Sequence, residues 1–301
     1  MRADAVEEFE RHRSRLFGLA YRMLGSAAEA EDVVQDTFLR WHRVQNSTVE
    51  SVSGWLAKVA TNLCLNRLTS ARARREQYVG TWLPEPVLTA DGVLGLLDSV
   101  QQRDSVRLAF LVLLERLNPV ERAVFVLREA FDYSHQEVAE IVGLSTANSR
   151  QVHHRARRKV SGASGDVGPR PREQRSDLVR GFLAAAGDGD LKELERLLAE
   201  DVTVWVDGGG QVGAARRPIV GHARVLRYFT GIMGRVPEGA KLAAAKVNGE
   251  PGVLVFAGTD LIGVLVPEVV DGRITRICII ANPDKLAFSA RLSHQAGLPG
   301  S

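Results

Sequence analysis

Ten residues from Arg150 to Lys159, RQVHHRARRK, carry Arg150, Arg155, Arg157, Arg158 and Lys159 and no carboxylate. Fixed cations at that density neutralise phosphates and release condensed counterions. Short polar side chains stand at and before the start of this run: Ser145, Thr146, Asn148 and Ser149, then Gln151 and His154 among the arginines. Groups of that size and polarity reach base edges in a groove, while the arginines hold the backbone. A solvated basic helix end that complements its own dipole would show the same charges, so the flanking pattern has to separate the two.

That pattern is specific. Ser134-His135-Gln136-Glu137 has the spacing of a capping box and opens a helix that buries Val138, Ile141 and Val142. Gly143 stops it, and Ser145 is placed to cap a second helix hiding Ala147, Val152 and Ala156. Upstream, Val120, Ala123, Val124, Leu127 and Phe131 recur at helical spacing. Two short helices joined by a glycine turn, the second polar at its start and basic at its end, predict a helix-turn-helix whose second helix enters a major groove.

Acid–base chemistry has three candidates in the last third of the chain: Asp207, His222 and Asp260. Catalysis would need one of them in a cavity, held by a partner that perturbs its pKa. Asp207 precedes Gly208, Gly209 and Gly210 and suits a turn, while His222 opens a helix, where a histidine caps or faces solvent. The reading is therefore not an enzyme, and no cofactor or metal is expected. Cys64 and Cys278 stand far apart in apolar contexts and read as buried thiols.

A chain of 301 residues has room for two or three domains, and 45% apolar with 25% charged residues is ordinary for a globular protein. The net charge of +3 excludes nothing by itself. The N-terminus is charged and lacks the apolar core of a signal peptide, and no run of about 18 apolar residues occurs, so a cytoplasmic location without membrane contact is expected. In order, residues 6–24 predict a helix with Phe9, Leu16, Leu19, Ala20 and Met23 on one side, ended by Gly25. Ser26 and Glu29 start another, which buries Val34, Phe38 and Trp41 and exposes Asp32, Gln35, Asp36 and Leu39. A third helix over 52–73 buries Trp55, Leu56, Val59, Leu63 and Leu68, has Trp55, Lys58, Asn62 and Asn66 spaced along it, and turns basic at Arg67, Arg72, Arg74 and Arg75.

The Pro- and Gly-rich stretch GTWLPEPVLTADGVLG predicts an extended linker, because Pro84 and Pro86 keep Leu83 and Glu85 out of the helical region. A helix over 103–117 follows, and SGASGDVGPRP makes a second linker. Beyond it, helices are expected over 177–186, 191–200 and 222–233. VTVWVDGGGQV, LAAAKVN, GVLVFAG, LIGVLVPEV and RITRICIIAN read as strands, the last entered through the turn Asp271-Gly272. Helices with antiparallel strands argue for an α+β layer in which a curved sheet wraps over helices.

AEDVVQDTFLRWH, then SVSGWLAKVATNLCLNRLTSARARRE, then the helix-turn-helix resemble a bacterial sigma factor of the extracytoplasmic-function group over about the first 160 residues. The resemblance implies an all-α region 2 domain at 1–78, a linker at 79–102 and an all-α region 4 domain at 103–160. Asp32, Gln35, Asp36 and Leu39 would dock on the clamp helices of the β′ subunit of core RNA polymerase. The loop 44–51 with Trp55, Lys58, Asn62, Arg67, Arg72, Arg74 and Arg75 would open and read the −10 element; Asn66 departs from the aspartate common in the family. Ser145, Thr146, Asn148, Ser149, Arg150, Gln151, His154, Arg155, Arg157 and Arg158 would meet the −35 element.

After a linker at 161–172, residues 173–290, closing with ITRICIIANPDKL, resemble a cone-shaped polyketide-cyclase (SnoaL-like) domain, with a tail at 291–301. The string Trp82, Leu83, Pro84, Glu85, Pro86 together with Asp207, Gly208, Gly209 and Gly210 marks a subgroup whose appended domain is a built-in regulator; Gln211 stands where a lysine is common. Bare glycine backbone would let Trp82 and Leu83 pack closely, and tethering makes a weak contact sufficient. The expected partners are core polymerase, promoter DNA and the chain's own C-terminal domain, with a monomer when free. Two other classes fit a helix-turn-helix: a regulator not associated with polymerase, which would need a dimer interface for a palindromic site, and a DNA-binding protein fused to a ligand-binding or enzymatic cyclase-like domain.

Overall fold

The computed structural model describes residues 3–44, 49–76, 78–89, 105–161, 172–295 and 297. The chain folds as two compact units, one built from 1–76 and 89–164, the other from 77–88 and 165–301. The segment that joins the two helical stretches in sequence thus belongs to the second unit.

The first unit holds α1 (Ala3–Leu24), α2 (Ala27–Arg43), α3 (Val52–Glu76), α4 (Leu108–Leu114), α5 (Pro119–Glu129), α6 (His135–Val142) and α7 (Thr146–Ser161). Gly25 takes φ +68° to end α1, and the Ser26 hydroxyl accepts from the Glu29 amide at 3.1 Å to start α2. Phe9, Leu19, Met23, Trp41 and Leu56 are buried among these helices, and the Trp41 indole donates to the Ala5 carbonyl at 2.9 Å. Helix α5 differs from its expected one-sided stripe. Residues Glu121 to Leu127 are all buried, whereas Val120 is 37% exposed. The helix packs on α1, α3, α6 and α7 together, so no face of it is left for solvent.

Three arginines tie α1 to the segment from Ser105 onward. Arg22 donates to the Ser105 hydroxyl at 2.8 Å and lies 5.2 Å over the Phe131 ring. Burial pulls its pKa down to about 9. Arg15 donates to the Phe131 carbonyl at 3.1 Å. Arg122 donates to the Met23 and Leu114 carbonyls at 2.7 and 3.0 Å and pairs with Glu115 at 2.6 Å. Guanidinium suits this task because its fixed fork satisfies several acceptors at once without giving up its charge.

The second unit contains α8 (Arg172–Asp188), α9 (Leu191–Leu197), β1 (Leu198–Asp207), β2 (Ile219–Val220), α10 (His222–Met233), β3 (Lys241–Val247), β4 (Glu250–Ala257), β5 (Asp260–Val270), β6 (Arg273–Ile280) and α11 (Pro283–Gln295). The six strands run in the order β2-β1-β6-β5-β4-β3. Two-residue turns link β3 to β4 and β5 to β6: Asn248-Gly249 (φ +53° and +78°) and Asp271-Gly272 (φ +51° and +75°), the left-handed pairs that match strand twist. The sheet is not wholly antiparallel as expected: β1 and β6 pair in parallel, Val204 beside Ile277 and Asp207 beside Ile280. Residues 198–200, expected at a helix end, already belong to β1, and α11 extends to Gln295, into the expected tail. Phe182, Leu194, Leu197, Val202, Val204, Val225, Phe229, Ile277 and Ile279 form the apolar core of this α+β cone, with Phe182 and Phe229 edge-to-face at 5.6 Å.

Replacing Arg122 by Ala should destabilise the first unit by about 1–3 kcal/mol for each of the Met23 and Leu114 carbonyls, which lose their buried donor. The exposed Arg11, paired with Glu7 and Glu8 on one helix, should cost under about 0.5 kcal/mol on the same change. Denaturant unfolding reads both; equal losses would show that the Arg122 contacts contribute nothing special.

Candidate functional site

The helix-turn-helix is built from local rules. Ser134 and Glu137 form a reciprocal capping box, and Gly143 takes φ +78°, ψ +40°, so that the amides of Gly143 and Leu144 both reach the Ala139 carbonyl at 2.9 Å. Ser145 accepts from the Asn148 amide at 3.2 Å and caps α7. The buried side of α7 is Ser149, Val152, Ala156 and Val160. Ala147, expected inside, is exposed, and Ser149 takes the inward place with its hydroxyl 3.1 Å from His135 Nδ1. The correction follows from period: steps of four, four and three back from Val160 land on Ala156, Val152 and Ser149 and miss Ala147. Ser149 therefore fastens the two helices together and does not face a groove.

Ser145, Asn148, Arg150, Gln151, His154, Arg155, Arg157 and Arg158 are exposed, and Thr146 is half-buried. The basic run is not uniform. Lys159 gives its ammonium to both Glu121 oxygens at 2.7 Å, tying α7 to α5. Arg157 lies 3.7 Å from Glu129, whose pKa is held down chiefly by a 2.8 Å hydrogen bond to His153. Arg150, Arg155 and Arg158 make no ion pair among the described residues.

On α2, Asp32, Gln35 and Leu39 are exposed, Leu39 at 49%, and Asp36 is half-exposed. Arg67, expected as a DNA contact, reaches across from α3 to this face. Its guanidinium donates to Asp32 at 3.3 Å, Asp36 at 2.9 Å and the Glu29 carbonyl at 3.2 Å. Packing of α3 on α2 sets that reach, which the one-dimensional spacing of either helix does not reveal. Trp55 is half-buried with its ring 5.6 Å from Trp41, and Lys58, Asn62 and Asn66 are exposed along α3. The side chains of Arg72, Arg74 and Arg75 and positions 45–48 of the expected −10 loop lie outside the described residues.

The second unit holds the segment 78–88 by a dense set of polar contacts around Asp207. This carboxylate is fully buried. One oxygen accepts from the Tyr78 hydroxyl at 2.5 Å and the Gly209 amide at 3.1 Å; the other accepts from the Leu83 amide at 2.8 Å and from Lys285 at 2.7 Å. Lys285 also donates to the Leu83 carbonyl at 2.5 Å and sits 4.3 Å from the Trp82 ring centroid and 4.8 Å from that of Tyr78. Burial, then the bond to Asp207, raises the pKa of the Tyr78 phenol. Further along, Ser289 donates to the Pro86 carbonyl at 2.6 Å, and Asn248 exchanges two hydrogen bonds with the Val87 backbone at 2.8 and 3.0 Å. Leu83 through Leu88 are buried.

Trp82, Leu83, Pro84, Glu85 and Pro86 thus share one site with Asp207 and its glycines, as the string pairing predicts, but the chemistry differs. The atoms that crowd the glycines are those of Ala214 and Val212, 2.6 and 2.9 Å from a Cβ built on Gly208, Asn282, 2.4 Å from one on Gly209, and Val79, 3.2 Å from one on Gly210. The linker is held by carboxylate, ammonium and amides. Tyr78, Asn248, Asn282, Lys285 and Ser289 were not singled out by sequence reasoning; only the ANPDKL run pointed near some of them. His222 rests 3.1 Å from the Glu195 carbonyl, and Asp260 is exposed at the start of β5. No cluster of three or more metal-ligating side chains occurs among the described residues. No helix among them is long and apolar enough to cross a membrane.

Residues 9–74 match Sigma-70 region 2, and residues 107–160 match Sigma-70, region 4. The chain is 37% identical over 293 residues to the extracytoplasmic-function RNA polymerase sigma factor SigJ of Mycobacterium tuberculosis, covering 94% of each chain. The chain belongs to the extracytoplasmic-function RNA polymerase sigma factors. This sigma factor is also 35% identical over 277 residues to the probable sigma factor SigI of the same species, covering 91% of this chain and 92% of that one. The crystal structure of SigJ matches it with a TM-score of 0.74 over 94% of this chain and 98% of that one. Its C-terminal cone is therefore part of a shared architecture that spans nearly the whole length.

In this sigma factor Asp207→Ala should cost about 3–5 kcal/mol by breaking the buried pair with Lys285 and removing the acceptor of the Tyr78 hydroxyl and Leu83 amide. Adding Lys285→Met should recover part of the loss, since the ammonium that faced Asp207 is then gone. Thermal and denaturant unfolding of the two single variants and the double variant reads the coupling; strictly additive losses would contradict a direct pair.

Proposed function

We propose that this sigma factor directs promoter-specific transcription initiation with core RNA polymerase, and that its C-terminal domain regulates that work by holding the linker between its two DNA-binding segments. The observation that carries the second half is the grip on residues 78–88: a buried carboxylate and ammonium at one end and Asn248 at the other. Holding residues 78–88 shortens the free part of the connection between region 2 and region 4, and so limits how far the two can separate. Promoter binding that needs a longer span must first break those bonds or use the span they set.

Asp32, Gln35, Asp36 and Leu39 dock on the β′ clamp helices. Their arrangement on one accessible side of α2 supports this, and Arg67 neutralises part of that face until a partner competes for it. Trp55, Lys58 and Asn62, with Arg72, Arg74 and Arg75 beyond them, open and hold the −10 element. Asn148, Gln151 and Arg150 read the −35 element while Arg155, Arg157 and Arg158 hold its phosphates. The C-terminal cone acts by contact rather than by catalysis: Asp207 is fully committed to four partners, and apolar side chains occupy the core between sheet and helices. The protein works as a monomer in the cytoplasm until it meets core polymerase.

Asp32→Arg with Asp36→Arg should abolish co-purification with core polymerase. It should leave the far-ultraviolet spectrum that of the folded parent and lower the melting temperature only modestly, because the lost ion pairs with Arg67 lie at the surface. A folded double variant that still co-purifies would remove α2 from the polymerase interface.

A further inference from the structure

From residue 211 to 241 the chain carries Arg216, Arg217, Arg224, Arg227, Arg235 and Lys241 against a single carboxylate, Glu238. Helix α10 lies in the middle of this stretch and contains no acidic residue. Val225 and Phe229 hold its inner side in the core of the cone, which leaves Ala223, Arg224, Arg227, Thr230 and Gly231 exposed. Arg235 follows the last turn, close enough for its charge to act on the Tyr228 phenol. A Cβ built on Gly231 meets nothing within 4 Å, so the backbone between Arg227 and Arg235 is open to approach.

Several exposed arginines on other helices have carboxylate partners: Arg11 with Glu7 and Glu8, Arg13 with Glu10, Arg180 with Asp177, Arg196 with Glu193. The side chains of Arg216, Arg217, Arg224, Arg227 and Arg235 make no hydrogen bond or ion pair among the described residues. Two like charges at i, i+3 with no acid in reach disfavour the helix on their own, so they are better matched to an external anion. We propose that the outer face of α10, with Arg224, Arg227 and Arg235, binds the DNA phosphate backbone and gives the C-terminal domain its own sequence-independent hold on promoter DNA.

Guanidinium forks suit phosphate oxygens, and the exposed positions of α10 include no large apolar side chain of the kind that inserts into a lipid surface. DNA is the favoured polyanion because region 2 and region 4 of the same chain bring it near, and tethering makes a few phosphate contacts effective. The proposal rests on membership of the sigma-factor family, not on the grip on the linker.

The test is equilibrium binding of full-length sigma factor, assembled with core polymerase, to a promoter fragment between 50 and 200 mM salt. Arg224→Gln with Arg227→Gln should flatten the slope of log K against log salt by up to about 1.8, roughly tenfold less affinity lost over that range. Base preference and core binding should not change, and Arg196→Gln, on the paired α9 arginine, should leave the slope unaltered. An unchanged slope in the double variant overturns the proposal. So does a loss of core-polymerase binding, which would assign the face to an acidic protein surface, or a loss of binding to anionic vesicles with the DNA slope intact.

Discussion

A carboxylate withdrawn from water has to be met by a cation and by hydrogen-bond donors, or the fold pays several kcal/mol for it. Asp207 is in that position, and two of its four partners, the Tyr78 hydroxyl and the Leu83 amide, come from the linker rather than from the cone. The C-terminal unit is thus incomplete without residues 77–88. Removing the segment would leave one carboxylate oxygen with only the Gly209 amide and would strip Lys285 of the Leu83 carbonyl and of the Tyr78 and Trp82 rings. Hydrogen bonds to charged groups are each worth about 1.5–3 kcal/mol net, so the site favours the held linker without welding it in place.

That balance suits a regulator. A contact can be displaced only by something that binds the released state better, by at least the free energy the contact supplies. In the proposed reading, a grip of a few bonds fused in the same chain holds in the free protein and gives way to a partner that binds the released state better. The two units meet this requirement with different chemistry. Arginine-to-carbonyl bonds such as those of Arg15 and Arg122 join the helices of the first, whereas one buried ion pair centres the linker site of the second.

The parts that were legible in the sequence are those set by neighbours along the chain. The helix-turn-helix could be read because a capping box, a left-handed glycine and a second cap act within a few residues of each other. The β5–β6 hairpin could be read from Asp271-Gly272 for the same reason. What depended on packing in three dimensions was not legible. Parallel pairing of β1 with β6 joins residues some seventy apart, as Val204 beside Ile277 illustrates. The inward place of Ser149 follows from the period of α7, but its contact with His135 on the neighbouring helix has no signal along the chain. Arg67 was read from its charge as a DNA ligand, but its partners are on another helix. Asp207 was read from the glycines after it as a turn residue, because a buried ion pair leaves no local signature when Lys285 lies far down the chain. The pairing of the WLPEP string with Asp207 was anticipated through family resemblance; the residues that hold it were not.

Amide hydrogen exchange at Leu83 and Val87 in the free, full-length protein tests the central claim most directly. Both amides donate to buried side-chain oxygens, those of Asp207 and Asn248. A linker held as described predicts exchange slowed by orders of magnitude relative to an unstructured peptide, and fast exchange at both once Asp207→Ala and Asn248→Ala are combined. Exchange at the unstructured rate in the parent protein would contradict the account.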